Sequence, residues 1–545
     1  MGATQRGTLA LFVEPAANQG RQVLLPETAI GTLSITTQPN TILAGVHMHL
    51  LIIVKGATAT GTVTITGKKS DGSTAVAETT PTIAVATPTQ PQSEYCTSGT
   101  YNTINASGIT LGGSNLTNAT ITVYGIYAGT KLVPCSYETK EKFDYVDPKD
   151  QRGLMYGTTR MAQEIKHVTL DKFDTESFYP DSDLWYGYSV WDNNPTITTI
   201  PATPTVKMAA TAVTSAPFSL TTQPAAPGEM LQLVVTGTAV YGTIGITGVN
   251  QFNQAATETV VAYAGAGTYY SANIYSAVNA TAVTITGLTG GSLAINGIFG
   301  TKWVFKIGTA TLNTLAFGIF SGTDSAVYPY GFVDSADLEM DASKDIKLIC
   351  KCTSQDMIPL GNRATTLLSS SRMPTLGQPF DMPTVGWQSL IYIDSLSGTA
   401  FTTAYNDLQT IKIAVPTGWK PTYTATNSQL YSRAYQDGSM IKVKFDALVD
   451  FTDLIQYELW RQNVKQLIGV KFINQQTGYI GNTSGTLNYK SWQITMPTKY
   501  EMFERDRSKE KVEAKISGIC EYEPTLGYAA LLTIINQAAP NYALT

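Results

Sequence analysis

One short strand is written twice in this chain. Residues 61–67 read GTVTITG and residues 242–248 read GTIGITG. The flanks repeat with them and in the same order. LSITTQP (33–39) answers FSLTTQP (218–224), HLLIIV (49–54) answers LQLVV (231–235), AETT (77–80) answers TETV (257–260), and YGIYAGTK (124–131) answers NGIFGTK (296–302). Five landmarks in one order define a duplicated unit of about 85–100 residues, and a repeat of that size decides the architecture before any single element does. The domain plan follows: copies at 33–131 and 218–302, with 1–32, 132–217 and 303–545 left outside them.

The copies differ chemically from the rest. The first contains seven charged side chains and the second three, of 36 basic and 41 acidic residues in the chain. Short alternating runs such as TVTIT are separated by turn signals: KKSDGS (68–73), ASG (106–108), LGGS (111–114) and LTGGS (288–292). About seven short strands with frequent turns in roughly 90 residues predict an immunoglobulin-like β-sandwich. Neither copy has the Cys…Trp…Cys pattern of antibody domains. Sandwiches of this class bind weakly, space or decorate, and the fold alone assigns no activity.

Composition excludes several function classes. A hydrophobic fraction of 43% with 14% charged residues describes a folded chain, and the abundance of Thr, Val, Ile and Tyr suits pleated sheets. A net charge of −5 opposes a nucleic-acid grip, which needs clustered Lys and Arg. The five cysteines (Cys96, Cys135, Cys350, Cys352, Cys520) are scattered and contain no CxxC, so neither a disulfide scaffold nor a zinc site is expected. Cys350 and Cys352, two apart in KLICKC, are expected as buried small hydrophobes on one strand face. No apolar run reaches the ~20 residues of a membrane span. The start, MGATQRGTLALFVEPA, is broken by Glu14 and does not read as a signal peptide. Folding in a reducing cytoplasm is expected.

Catalytic constellations are not found. His47 and His49 share a strand face in HMH, with no suitable third ligand beside them in sequence; His167 sits in no nucleophile elbow, and no GxSxG occurs. GTVTITGKK (61–69) has glycines spaced one residue too far for a phosphate loop and no Ser or Thr after Lys68. DSADLEMD (334–341) bunches Asp334, Asp337, Glu339 and Asp341 but lacks the glycine of a calcium loop; a polar strand face is the better reading. No enzyme, cofactor or metal is expected.

The C-terminal segment is the best patterned. In SMIKVKFDAL (439–448), Ile441, Val443 and Phe445 alternate with Lys442, Lys444 and Asp446, which predicts a strand with one buried and one wet face. QDGS (436–439) before it suggests a hairpin over 425–448. DFTDLIQYELWRQNVKQ (450–466) predicts a helix with Asp450 or Thr452 as N-cap. Phe451, Leu454, Ile455 and Leu459 form one apolar arc; Tyr457, Trp460 and Val464 form a second. Two arcs predict that the helix lies between its own sheet and something else, with Tyr457, Trp460 and Val464 turned to another subunit or another part of the chain. Strands follow at KSWQITMP (490–497) and KVEAKISGICEY (511–522). Between them KYEMFERDRSKEK (499–511) reads as a solvated loop; its mixed signs also suit docking on a copy of itself, which adds Glu504, Arg505 and Arg507 to the candidate interface.

This order of elements resembles the closing portion of major tail tube proteins of long-tailed bacteriophages. The resemblance rests on FTDLIQYELW (451–460), MPTKYEMFERDR (496–507), KVEAKISGICEYEP (511–524) and a last strand ending near Asn536. VDSADLEMDASKDIKLICKCTSQ (333–355) is similar to an earlier strand pair of that family, so the likeness covers roughly 330–540. It implies a mainly β fold: a β-barrel or sandwich core with a flanking helix, plus the two sandwich modules. It further implies rings, stacked into a hollow virion tail tube assembled in the host cytoplasm. The partners implied are other copies of the chain, a tape measure protein, and tail terminator and distal tail proteins. DNA would pass through the lumen without specific binding, and no membrane is involved. The residues outside the repeats exceed one barrel; they would form two barrels in a trimeric ring or one enlarged barrel in a hexamer. A surface adhesin built from immunoglobulin-like repeats is the alternative, and a virion glycan hydrolase, which needs a carboxylate pair in a cleft, is a third.

Overall fold

The computed structural model describes residues 10–14, 21–29, 37–38, 48–55, 60–69, 75–79, 83–84, 92–97, 101–112, 119–127, 131–133, 140–145, 153–156, 159–162, 169–177, 184–192, 194–213, 217–237, 242–262, 266–307, 315–320, 325–354, 358–359, 383–397, 400–422, 433–436, 442–452, 454–507 and 512–541. The chain is mainly β, with antiparallel sheets and little helix. His47, His167, Cys135 and Ile441 lie outside the described residues.

Each duplicated unit forms its own sheet, and the two sheets have the same strand order. The first runs Arg21–Ala29, Thr120–Tyr127, Met48–Lys55, Tyr101–Gly112, Thr60–Lys69, Ala75–Thr79. The second runs Thr205–Ala212, Ser292–Ile298, Glu229–Thr236, Gly267–Thr286, Gly242–Asn250, Ala255–Ala262. In the second, the long Gly267–Thr286 strand pairs with Glu229–Thr236 through its first half and with Gly242–Asn250 through its second. That switch folds the sheet over a core of Leu231, Leu233, Ile244, Ile246, Val283 and Ile295. The expected ASG turn at 106–108 is instead a bulge inside a strand: the register skips from Ile65↔Ile109 to Gly67↔Ile104.

The landmarks have a physical cause in both copies. The Gln of TTQP ties down the bulged strand: Gln38 bonds both backbone groups of Ile104, and Gln223 Oε1 accepts the Val278 N–H at 2.9 Å. The last Gly of the repeated strand lies against that bulged strand's backbone. A Cβ on Gly67 would collide with Thr103 O, and one on Gly248 with Ala277 O; Tyr101 and Tyr275 flank them. The Glu of the third motif meets those tyrosines. Tyr95 and Tyr101 donate to Glu78. Glu258 accepts from Ala272 N, Asn273 N and Asn273 Nδ2. Burial, then the neighbouring glutamate, pushes both the Tyr101 and Tyr275 hydroxyls well above the usual range.

Sheet membership also moves the boundaries. Arg21–Ala29 and Thr205–Ala212 belong to the modules, one strand upstream of the landmarks at 33 and 218, while Lys131–Val133 and Gly300–Lys306 belong to the core. Each module is inserted between two adjacent antiparallel core strands. The chain leaves after Ala10–Glu14 and returns at Lys131–Val133, paired Val13↔Lys131. It leaves again after Thr196–Ile200 and returns at Gly300–Lys306, paired Ile200↔Gly300, with Phe299 N–H donating to Ile200 O.

Among the described residues, eighteen strands make the core sheet. One run passes from Lys140–Tyr145 through Thr169–Ser177, Lys347–Ser354, Ser325–Asp341, Leu408–Pro416, Lys444–Asp450 and Glu513–Cys520 to the end of Thr486–Asp506. Earlier in that last strand, Ser491–Thr495 pairs with Leu531–Asn536, which leads to Gly300–Lys306. Both runs cover one hydrophobic cluster that includes Phe173, Trp303, Phe305, Leu348, Phe445, Trp492 and Ile534. Its centre holds the helical segment Leu184–Trp191, buried throughout. Tyr188 sets its ring edge-on to Trp303 and Phe305, and a Cβ on Gly187 would lie 2.5 Å from the Phe305 ring.

Candidate interaction surface

The predicted alternation holds at its described positions: Val443, Phe445, Ala447 and Val449 are buried while Lys442, Lys444 and Asp446 are exposed. The expected hairpin does not. Lys444–Asp450 pairs with Leu408–Pro416 and Glu513–Cys520, whereas Arg433–Gln436 pairs with Trp419–Thr422.

The helix is shorter than expected, Ile455–Arg461. Neither expected cap is used. Asp450 ends a strand and accepts from Gln409, and Thr452 donates its hydroxyl to Asp407. The helix stops because Asn463 takes a left-handed conformation (φ 57°). Val464 N–H then reaches Leu459 O and Asn463 N–H reaches Trp460 O, the paired bonds of a Schellman C-terminus.

Its inward face lies between the two apolar arcs. Gln456 is buried and accepts from the Tyr500 hydroxyl at 2.7 Å. Leu459 and Trp460 pack on the core. Tyr457 and Trp460 stand 5.6 and 6.4 Å from the Phe503 ring, Phe451 stands 6.0 Å from it, and the Arg505 guanidinium lies 4.8 Å over Phe451. Leu454 and Ile455, expected on the sheet, are instead 54% and 60% exposed. The structure thus brings Tyr457, Trp460 and Arg505 into one cluster within the chain. Val464 is exposed just past the helix, Arg507 just past the strand, and Glu504 occupies the other strand face, opposite Lys515.

The charged run at 499–511 is a strand as far as Asp506, not a loop. Its wet face continues across the sheet as a ladder of opposite charges. Lys412 Nζ lies 3.0 Å from Asp337 and 2.8 Å from Glu339; Lys347 lies 2.7 Å from Glu176 and Lys344 3.0 Å from Asp341. The Glu339 and Asp337 contacts raise the Lys412 ammonium above its ordinary range, against the opposing effect of burial. A groove of about 540 Å³ crosses this face, lined by Glu339, Asp341, Lys344, Lys347, Lys412, Asp446 and Lys515. DSADLEMD is therefore a polar strand face, with Asp334 alone turned inward to accept from Thr353; burial raises its carboxyl. Interleaved signs neutralise the face locally, so a polyanion crossing it meets carboxylates and ammoniums in turn. Cys350 and Cys352 are buried as expected. Among the described residues no cluster of His, Cys, Asp or Glu would hold a metal, and no helix is long and apolar enough to cross a membrane.

No protein-family model matches the chain, and no curated protein matches it. Among solved structures it is similar to the crystal structure of PBSX exported protein XepA, at 14% identity over 52% of this chain and 92% of that one, with a TM-score of 0.14. It is also similar to the VP2 protein of infectious bursal disease virus, at 10% identity over 65% and 66% of the two chains, with a TM-score of 0.08. Scores this low support no conclusion about fold or function.

Proposed function

We propose that the chain is a structural virion protein, and specifically a subunit of a phage tail tube that carries two sandwich modules on its outside. The observation that carries the proposal is the way the modules are attached. Both are spliced between neighbouring strands of one core sheet, so the core continues past each of them without interruption. A sheet-built body whose additions leave at strand ends suits a repeating wall with appendages. The helix Ile455–Arg461 and, after it, the strands ending at Asp506, Cys520 and Asn536 follow one another in the order on which the resemblance to tail tube proteins rests, although the hairpin expected before the helix does not form. Its wet face, balanced in sign along the Lys412 ladder, suits a wall past which DNA slides. The exposed Leu454, Ile455 and Val464 beside the aromatic cluster suit contact with a second copy.

Electron microscopy of the purified chain tests this reading. Hollow tubes or rings of uniform width are expected without nucleotide, metal or DNA. A monodisperse rod-shaped monomer at high concentration would overturn it in favour of an adhesin-like module carrier.

A further inference from the structure

The second module meets the core at a joint with little slack. On the way out, residues 201–204 link the core strand Thr196–Ile200 to the module strand Thr205–Ala212. Two of those residues, Pro201 and Pro204, have φ fixed by their rings. Thr199 donates its hydroxyl to Pro201 O at 2.9 Å, which ties the link back to the strand it leaves. On the way back one residue, Phe299, separates the module strand Ser292–Ile298 from the core strand Gly300–Lys306. In the first module the matching stretch is one residue longer, Ile126-Tyr127-Ala128-Gly129-Thr130 against Ile298-Phe299-Gly300-Thr301.

The joint is covered from two directions. One cover is the end of the hairpin formed by Gln466–Thr483 and Thr486–Asp506. A Cβ on Gly481 would collide with the Phe299 ring, and Ile480, buried, sits against Gly300. The other cover is the segment that follows the last core strand, Leu531–Asn536. Asn536 Oδ1 sets its course, accepting from Trp303 Nε1 and from Ala538 N–H, both at 3.1 Å. Gln537 Nε2 donates to Phe299 O at 3.5 Å, and Thr301 donates its hydroxyl to Ala538 O at 2.7 Å. Ala538 then packs on the core cluster, whereas Ala539 packs on a separate cluster of Met230, Ile274 and Ile298 in the module. Two adjacent residues thus sit in two hydrophobic clusters, one on each side of the joint.

Joined domains move relative to one another unless their contact is extensive and apolar. Here two short links and an apolar seat oppose that motion. We infer that residues 537–539 are a strap that locks the second module onto the core as a fixed arm. A fixed arm presents its outer surface at the same place on every copy of the chain. The lock is a property of the single chain and does not depend on assembly.

Distance distributions from pulsed electron paramagnetic resonance test the strap. Nitroxides are attached at Thr259→Cys on the module strand Ala255–Ala262 and at Lys444→Cys on the core, both exposed positions. Cys96→Ser and Cys135→Ser remove competing thiols, and Cys350, Cys352 and Cys520 are buried. The parent should give one narrow distribution. Ending the chain after Asn536, or Ala539→Asp, which puts a charge into the apolar seat, should each broaden it about twofold or more, with melting curves unchanged. A broad distribution in the parent, a parent-like one in either variant, or broadening only in a variant whose core melts early would overturn the strap.

Discussion

The two copies contain a substitution experiment already made by duplication. In the second module Lys207 sits at a bulge of its edge strand and meets Glu229 on the neighbouring-but-one strand, Nζ to Oε2 2.5 Å, with side chains 4% and 0% exposed. Thr205 and the Ala225 N–H donate to the same carboxylate, and Lys207 also donates to Gln223 O. Gly297 is glycine because a Cβ there would lie 2.5 Å from both Glu229 Oε2 and Lys207 Cε. In the first module the same bulge falls between Val23 and Leu25, and the register places Leu24 and Met48 at the corresponding positions, beside Gly125. Leu24 is 1% exposed. One copy therefore carries an ion pair where the other carries two apolar residues.

Breaking such a pair leaves a buried charge and costs about 3–5 kcal/mol, whereas replacing both partners by apolar residues is neutral or stabilising by about 1–4 kcal/mol. Glu229→Gln should destabilise the second module by the first amount. Lys207→Leu with Glu229→Met, transplanting the first module's residues, should restore or exceed parent stability. The groups left over, Gln223 O and Ala225 N–H, belong to exposed residues that water can satisfy. Hydrogen exchange of the Gly242–Asn250 strand reads this locally. At 1.36 kcal/mol per decade, the single variant should exchange ~10²–10⁴-fold faster, with Thr60–Lys69 in the first module unchanged as the internal control. Equal acceleration in the single and double variants, or none in the single, would refute the reasoning.

Gly67→Ala and Gly248→Ala should each cost about 1–3 kcal/mol, because the added methyl collides with a backbone carbonyl across the strand pair; urea unfolding that ranks them with ordinary surface substitutions would contradict the shared clamp. Excision of residues 201–298, closed by an Asn-Gly bridge between Ile200 and Phe299, should leave core melting unchanged. Excision of 218–302 should unfold the core in the same calorimetric scan, since it removes Gly300, Thr301 and Lys302 from a strand paired on both sides.

The duplication was legible because its landmarks are the residues that cannot change: a glutamine bonded to backbone, a glycine under a carbonyl, a glutamate facing tyrosines. The strands upstream of the landmarks were not, since Arg21–Ala29 and Thr205–Ala212 share little but their place in the sheet. The helix face was misread because its anchor is polar: Gln456 is buried through a hydroxyl of a strand far along the chain, which no apolar periodicity reports. The run after Lys499 hid a strand for the opposite reason, its charges lying on a wet face and an exposed edge. The Leu184–Trp191 segment was not legible in the sequence, because a segment buried on every side has no single apolar stripe to detect. Of the expected interface, the residue types were readable but their contacts were not, because Tyr457 and Trp460 found Phe503 within the same chain.

The central claim is that one continuous core assembles while the modules ride outside it. Cryo-electron microscopy of the full chain beside the 201–298 excision tests it most directly. The account predicts hollow tubes from both, with the same lumen and the same axial repeat, and a narrower outer profile for the excised chain. A full-length chain that forms no tube, or an excision that folds with its core melting intact yet changes the lumen, would contradict it.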